Sequence, residues 1–200
     1  MNELSRPVKS IGVAKPLVDG PEKVSGKAMY SADFIPDGCL VGRIFRSPVS
    51  HAEIIGVDIS KAAALDGVVT VITGDDCDET YGILPIARFE YPLARDKVRY
   101  RGEPVACVAA VDVETAQAAI DLIEFTYKEL PAYYTSEDAM NEGAHDLHEH
   151  RPGNIERDVD YELGDVDAGM DGADLVMEEN YNCAEICQVQ SEPHAAIAEY

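Results

Sequence analysis

The chain has 200 residues, enough for one full domain and part of another. Hydrophobic residues make up 46%, so a real core is possible, while Trp is absent and aromatics stand at 7%, which argues against an aromatic-lined binding platform. The net charge of −22 is lopsided: residues 1–110 hold 15 acidic and 13 basic side chains, residues 111–200 the remaining 23 and 3, so the second half repels nucleic acid and anionic lipid.

Residues 1–18 read as an arm, limited by Pro7 and Pro16, with no apolar core of the kind a signal peptide carries. Together with the absence of any run of about eighteen apolar residues, this predicts a soluble cytoplasmic protein. Asp19-Gly20-Pro21 is a turn signal, followed by an irregular strand over residues 24–34 in which Gly26 permits a bend. Pro36-Asp37-Gly38 is a second turn. A strand over 39–47 takes its apolar bulk from Leu40, Val41, Ile44 and Phe45, and EIIGVDI (53–59) is the next.

Ser60 is placed to cap a short helix through Ala62, Ala63, Ala64 and Leu65, which Asp66-Gly67 ends. VVTVIT (68–73) is β-branched throughout and reads as a strand. The β-α-β unit so formed is too short for a dinucleotide fold and has no glycine fingerprint after its strand. Residues 74–96 are mostly loop. Their acids, Asp75, Asp76, Asp78 and Glu79, lack the alternating spacing, central Gly and closing Glu of a calcium hand and read as a helix start or solvated loop.

Strands over 97–100 and 104–111 flank the turn Arg101-Gly102-Glu103-Pro104, and Asp112 caps a helix with an apolar stripe of Val113, Ala116, Ile120 and Ile123. EFTYKEL (124–130) returns as a strand that Pro131 stops. Residues 19–135 thus hold two β-α-β-like units: a compact α+β domain, a layer of sheet with helices on one face.

Residues 136–164 have the composition of an acidic linker. His145, His148 and His150 lie in it with Asp146 and Glu149, but no flanking structure is expected to fix them as metal ligands. The five cysteines, Cys39, Cys77, Cys107, Cys183 and Cys187, form no CxxC pair and read as reduced thiols, Cys107 as a small core residue. A short helix over 165–170 and strands over 175–182 and 194–200 complete the pattern, which stops mid-strand and predicts a truncated piece of a longer polypeptide. The acidic half has two readings: a solvated or salt-adapted surface, or a docking face for a basic partner subunit.

Four blocks resemble the N-terminal part of the molybdenum-binding large subunit of the xanthine dehydrogenase and aldehyde oxidase family: VDGPEKVSGKAMYSADF (18–34), LVGRIFRSPVSHAEIIGVDISKA (40–62), GVVTVITG (67–74) and YPLARDKVRYRGEPVACVAAVD (91–112). Within it, GILPIARFEYPLARDKVRYRGEPVA (82–106), with LPAY (130–133) and Gly164-Asp165, is similar to the alpha subunit of 4-hydroxybenzoyl-CoA reductases. The resemblance implies an α/β hammerhead domain over 19–135, with Gly26, Tyr30, Arg101, Gly102 and Pro104 as its structural motif, and a molybdopterin-binding domain that begins at 165. It implies a molybdopterin, in cytosine dinucleotide form, in the complete subunit. Iron–sulfur clusters and FAD belong to companion subunits in a dimer of heterotrimers. The substrate it implies is an aromatic acyl-CoA that loses a ring hydroxyl, with hydroxylation of a heterocycle or aldehyde, or carbon monoxide oxidation, as the alternative. A free-standing, non-catalytic interaction domain is the reading from a different class. The family's catalytic Glu and glycine-rich cofactor loops match nothing here, so no residue is assigned a catalytic, cofactor or metal role. Near Glu192-Pro193 the chain departs from the family, with Gln190 and Ser191 where His and Met are common.

Overall fold

The computed structural model of the chain describes residue 12, residues 14–82 and residues 88–199. Most of the N-terminal arm, residues 83–87 of the reductase-like stretch, and Tyr200 of the last expected strand lie outside these. The chain divides into two compact units. One joins the segment ending at Asp37 to that starting at Glu179, and the other is Gly38–Glu178.

In the first unit, α1 (Gly20–Val24) begins where the turn signal stands, with Pro21 in its first turn. A 3-10 turn follows at Ser31–Asp33, where Asp33 accepts a bond from the Tyr30 N–H (2.9 Å). The strand expected over 24–34 is therefore absent: Gly26, at φ +70°, and the Asp33 bond turn the chain instead of extending it. Residues 179–182 and 194–199 carry no strand either, because no ladder is present among the described residues to pair their backbone.

The second unit contains β1 (Val41–Arg46), β2 (Ala52–Asp58), α2 (Ser60–Ala63), β3 (Val68–Thr73), β4 (Lys97–Val98), β5 (Pro104–Ala110), α3 (Val113–Asp121), β6 (Glu124–Glu129), α4 (Ser136–Ala139) and α5 (Val166–Asp171). The single layer of sheet is corrected to two antiparallel three-stranded sheets, β1-β5-β3 and β4-β2-β6. The two β-α-β-like segments are likewise not crossovers within one sheet. β2-α2-β3 leaves the second sheet for the first, and β5-α3-β6 goes back. Residues 175–178 are not a strand.

β5 is central in its sheet and buried on both faces. Ala106, Val108 and Ala110 face one core with Ala62, Ala116, Ala119 and Ile123, while Val105 faces another with Ala52, Ala94 and Val98. Alanines at these positions let α3 lie close on the sheet. Phe45 and Val57 border both cores, and Phe45 meets Phe125 edge-on at 5.8 Å, tying the two sheets together.

Local capping came out partly as read. Asp112 Oδ1 accepts from the Thr115 N–H at 2.7 Å and caps α3. Val113 is exposed and Ala119 takes its place on the buried stripe. For α2 the capping group is the Asp58 carboxylate, which accepts from the Ser60 N–H (2.9 Å); Ser60 is already inside the helix. The span 136–164 holds α4 and a 3-10 turn at Pro152–Asn154.

Candidate functional site

The Arg101–Pro104 turn is stapled to the end of β1. Gly102 N–H donates to Ser47 O and Ser47 N–H donates to Glu103 O, both at 2.9 Å, while Arg46 Nη1 donates to Gly102 O at 2.8 Å. Gly102 sits at φ +91°, a conformation side-chain-bearing residues avoid. Pro104, which opens β5, accepts the Ala94 N–H at 2.8 Å. Arg101 is exposed. The Glu103 carboxylate folds back to accept the Arg99 N–H. Burial pushes that carboxyl above its usual range, while the Arg99 backbone bond and guanidinium pull it part of the way back.

A cleft of about 440 Å³ opens beside the turn. Its far wall is the loop 145–151. Arg99 Nε donates to Leu147 O (3.1 Å), and Lys97 Nζ lies 3.6 Å from Glu149 Oε1. The Phe89 ring meets His150 at 4.2 Å and His148 at 5.4 Å between centroids, and the Arg151 guanidinium lies 5.5 Å from its centre. Arg151 also grips Glu156 through two bonds of 2.6 and 3.1 Å. Burial, followed by the charge of Arg99 and the neighbouring His150, holds the His148 imidazole below the usual histidine range.

Among the described residues the lining contains no Ser, Thr or Cys, and no group of three or more His, Cys, Asp or Glu side chains could hold a metal ion. His145 points its backbone N–H at the Tyr133 hydroxyl (3.0 Å). The acids at 75–79 act locally: Asp76 accepts from the Thr73 N–H (2.8 Å) and Asp78 pairs with Arg95 (3.1 Å). All described cysteines are free thiols, and burial raises the Cys107 thiol. A pterin pyrophosphate needs converging backbone N–H groups and positive potential. The start of α3, the longest helix among the described residues, is already capped, its Thr115 N–H bonded to the Asp112 carboxylate. The cations of the cleft are interleaved with Glu90, Asp96, Glu103 and Glu149. The described residues therefore do not fit that group.

Arg101, Gly102 and Pro104 come together at the turn, whereas Gly26 and Tyr30 lie in the other unit. There Glu192 Oε1 accepts from both the N–H and the hydroxyl of Ser31, each at 2.9 Å, and these bonds hold its carboxyl below the usual range. Sequence reasoning missed Asn154, which is at φ +58°. Its side chain bonds Ala139 O (2.8 Å), His145 O (3.0 Å) and Leu147 N–H (2.7 Å), so it holds the far wall together. The available signal was an Asn after Pro152-Gly153, a residue that tolerates the left-handed turn.

Comparison with known proteins follows the same lines. The chain is 36% identical over 192 residues to the nicotinate dehydrogenase large molybdopterin subunit of Eubacterium barkeri, covering 95% of this chain and 44% of that one. It is 36% identical over 182 residues to a probable xanthine dehydrogenase subunit of Bacillus subtilis, covering 90% and 24%. Among solved structures it resembles the aldehyde oxidoreductase of Desulfovibrio gigas with a TM-score of 0.62 at 31% identity, over 68% of this chain and 16% of that one. The chain thus spans less than half the length of these relatives. Residues 25–131 match the family described as aldehyde oxidase and xanthine dehydrogenase, a/b hammerhead domain, and with this match over more than half its length the chain belongs to that family.

Proposed function

We propose that this chain is the N-terminal portion of the large, molybdopterin-binding subunit of a molybdenum hydroxylase-family oxidoreductase, and that its part in that enzyme is architectural. The observation that carries the reading is the likeness over 95% of the chain to a large molybdopterin subunit. In this reading residues 19–135 are the hammerhead domain, 136–164 the acidic linker and 165–200 the start of the cofactor domain. Gly26, Tyr30, Arg101, Gly102 and Pro104 serve as structural motif residues. The complete subunit carries molybdopterin in cytosine dinucleotide form. Iron–sulfur and flavin subunits accompany it in a dimer of heterotrimers, in the cytoplasm. The metal, when bound there, moves two electrons; no residue of this chain takes a step in that chemistry.

For the substrate, the names of the relatives favour hydroxylation of a nitrogen heteroaromatic such as nicotinate or a purine. Ring dehydroxylation of an aromatic acyl-CoA rests on the likeness of residues 82–106. The test is to purify the 200-residue chain alone and, separately, the complete subunit with its companions. Each is analysed for molybdenum and assayed with nicotinate, xanthine and 4-hydroxybenzoyl-CoA. Molybdenum and turnover are expected only in the complete enzyme. Stoichiometric metal or turnover in the short chain overturns the architectural role, and turnover of the acyl-CoA alone replaces the heteroaromatic reading.

A further inference from the structure

The cleft has a wall that its own hydrogen bonds hold together as one piece. Residues 139–154 are joined by their own bonds: those of the Asn154 side chain, the Gly153 N–H to Asp146 Oδ1 (2.8 Å) and the Arg151 N–H to His148 O (2.8 Å). The seam against the cleft is thinner. Among the described residues it is made by the Arg99–Leu147 bond (3.1 Å), the Lys97–Glu149 pair (3.6 Å), and the contacts of the Phe89 ring with His148, His150 and the Arg151 guanidinium. A preformed loop on so few contacts opens at the seam before it unravels.

Charge at the seam is unevenly matched. His148 is half-buried. It is faced by Arg99 from the end of β4, by His150 and Arg151 from its own loop, and by Glu156 just beyond it. Lys97, Glu90, Glu103 and Glu149 line the same cleft. Arg151 is already neutralised by Glu156 and Lys97 by Glu149. Arg99 spends its guanidinium on the carbonyls of Leu147 and Lys97; the Glu103 carboxylate feels its charge, but the two side chains form no ion pair among the described residues. A second positive charge on His148 would therefore stand, desolvated, beside Arg99.

We propose that residues 145–151 form a pH-gated strap over the cleft, closed while His148 is neutral and released when it takes a proton. The sign follows from an imidazole held below its ordinary range. Closure is fully supported above the ordinary histidine value, about 6.5, and the support is lost as pH falls below it.

The test is a titration of the 200-residue chain by NMR, following each imidazole and the cross-relaxation between the Phe89 and His150 rings. His148 is expected to titrate below the ordinary histidine value, about 6.5, and the ring contact to vanish in step with it. In His148→Gln the contact should persist to the acid end. A His148 midpoint at or above that ordinary value, or equal loss of the contact in the variant, overturns the proposal. Should that variant fail to fold, Arg99→Gln must move the His148 midpoint upward; an unmoved midpoint also overturns it.

Discussion

Replacing Gly74 by Ala probes a close backbone approach in the second unit. Gly74 is buried at the first position after β3, and its φ is not positive, so its backbone tolerates a side chain. The space does not. A Cβ there would lie 2.4 Å from Ala94 O, 2.9 Å from Ala94 C and 2.9 Å from Arg95 Cγ. Ala94 is itself a core residue, anchored by its N–H to Pro104 O at 2.8 Å, so relief requires shifting backbone that holds β5 in place. Overpacking costs about 1–3 kcal/mol and a weakened backbone hydrogen bond about 1 kcal/mol. The sum is about 3 kcal/mol, or a fall in Tm of roughly 6–12 °C for a unit of this size. Two other glycines calibrate it. Gly102→Ala meets no atom within 4 Å but must adopt φ +91°, which costs about 1–2 kcal/mol. Gly42→Ala, in a strand with no atom within 4 Å, should be neutral or slightly stabilising. Thermal and urea unfolding of the three variants should rank them Gly74, Gly102, Gly42. A Gly74→Ala variant that melts with the wild type would refute the packing argument.

Two further variants separate burial from capping. Glu103→Gln keeps an acceptor for the Arg99 N–H and removes a desolvated charge. Because the folded state raises this carboxyl, the penalty of its charge stands above the raised value and is relieved as pH falls. The variant should be at least as stable as wild type at neutral pH, with any gain disappearing in acid, as measured by urea midpoints across pH. Asp112→Ala removes the cap of α3. The folded state lowers this carboxyl through its bonds to Thr115. The capping contribution is therefore present above the ordinary aspartate value and lost as pH falls through the lowered one. Wild type and variant should differ in Tm at neutral pH and converge in strong acid.

Much of the second unit was legible because its signals are local. The β-branched run of β3, the Asp112 cap and the turn around Gly102 each depend on residues within a few positions of one another. The partition into two sheets was not, because the apolar run of β2 and the alternation in β6 say that each is a strand and nothing of its partner. Asp58 displaced Ser60 as the cap of α2 for a related reason: either side chain can reach the helix start, and geometry chooses. The extended run at 175–182 has strand-like composition, yet composition without a neighbour makes no ladder. The cleft was least readable. Phe89 and His150 are 4.2 Å apart as rings but far apart along the chain, and only the loop organised by Asn154 brings them together.

The exchange of chain between the two sheets has a consequence for synthesis. The first sheet needs residues 41–46, 68–73 and 104–110, and the second needs 52–58, 97–98 and 124–129. Each set is threaded through the other, so the first sheet has all its strands only after two strands of the second have been made, and the second is completed last of all. β1 must wait until β5 has emerged, and the second sheet gains its edge only with β6. Proximal nascent strands are thus left with open edges for most of translation. The charged side chains along β6 and the shortness of β4 leave few exposed ladders once the last strand arrives.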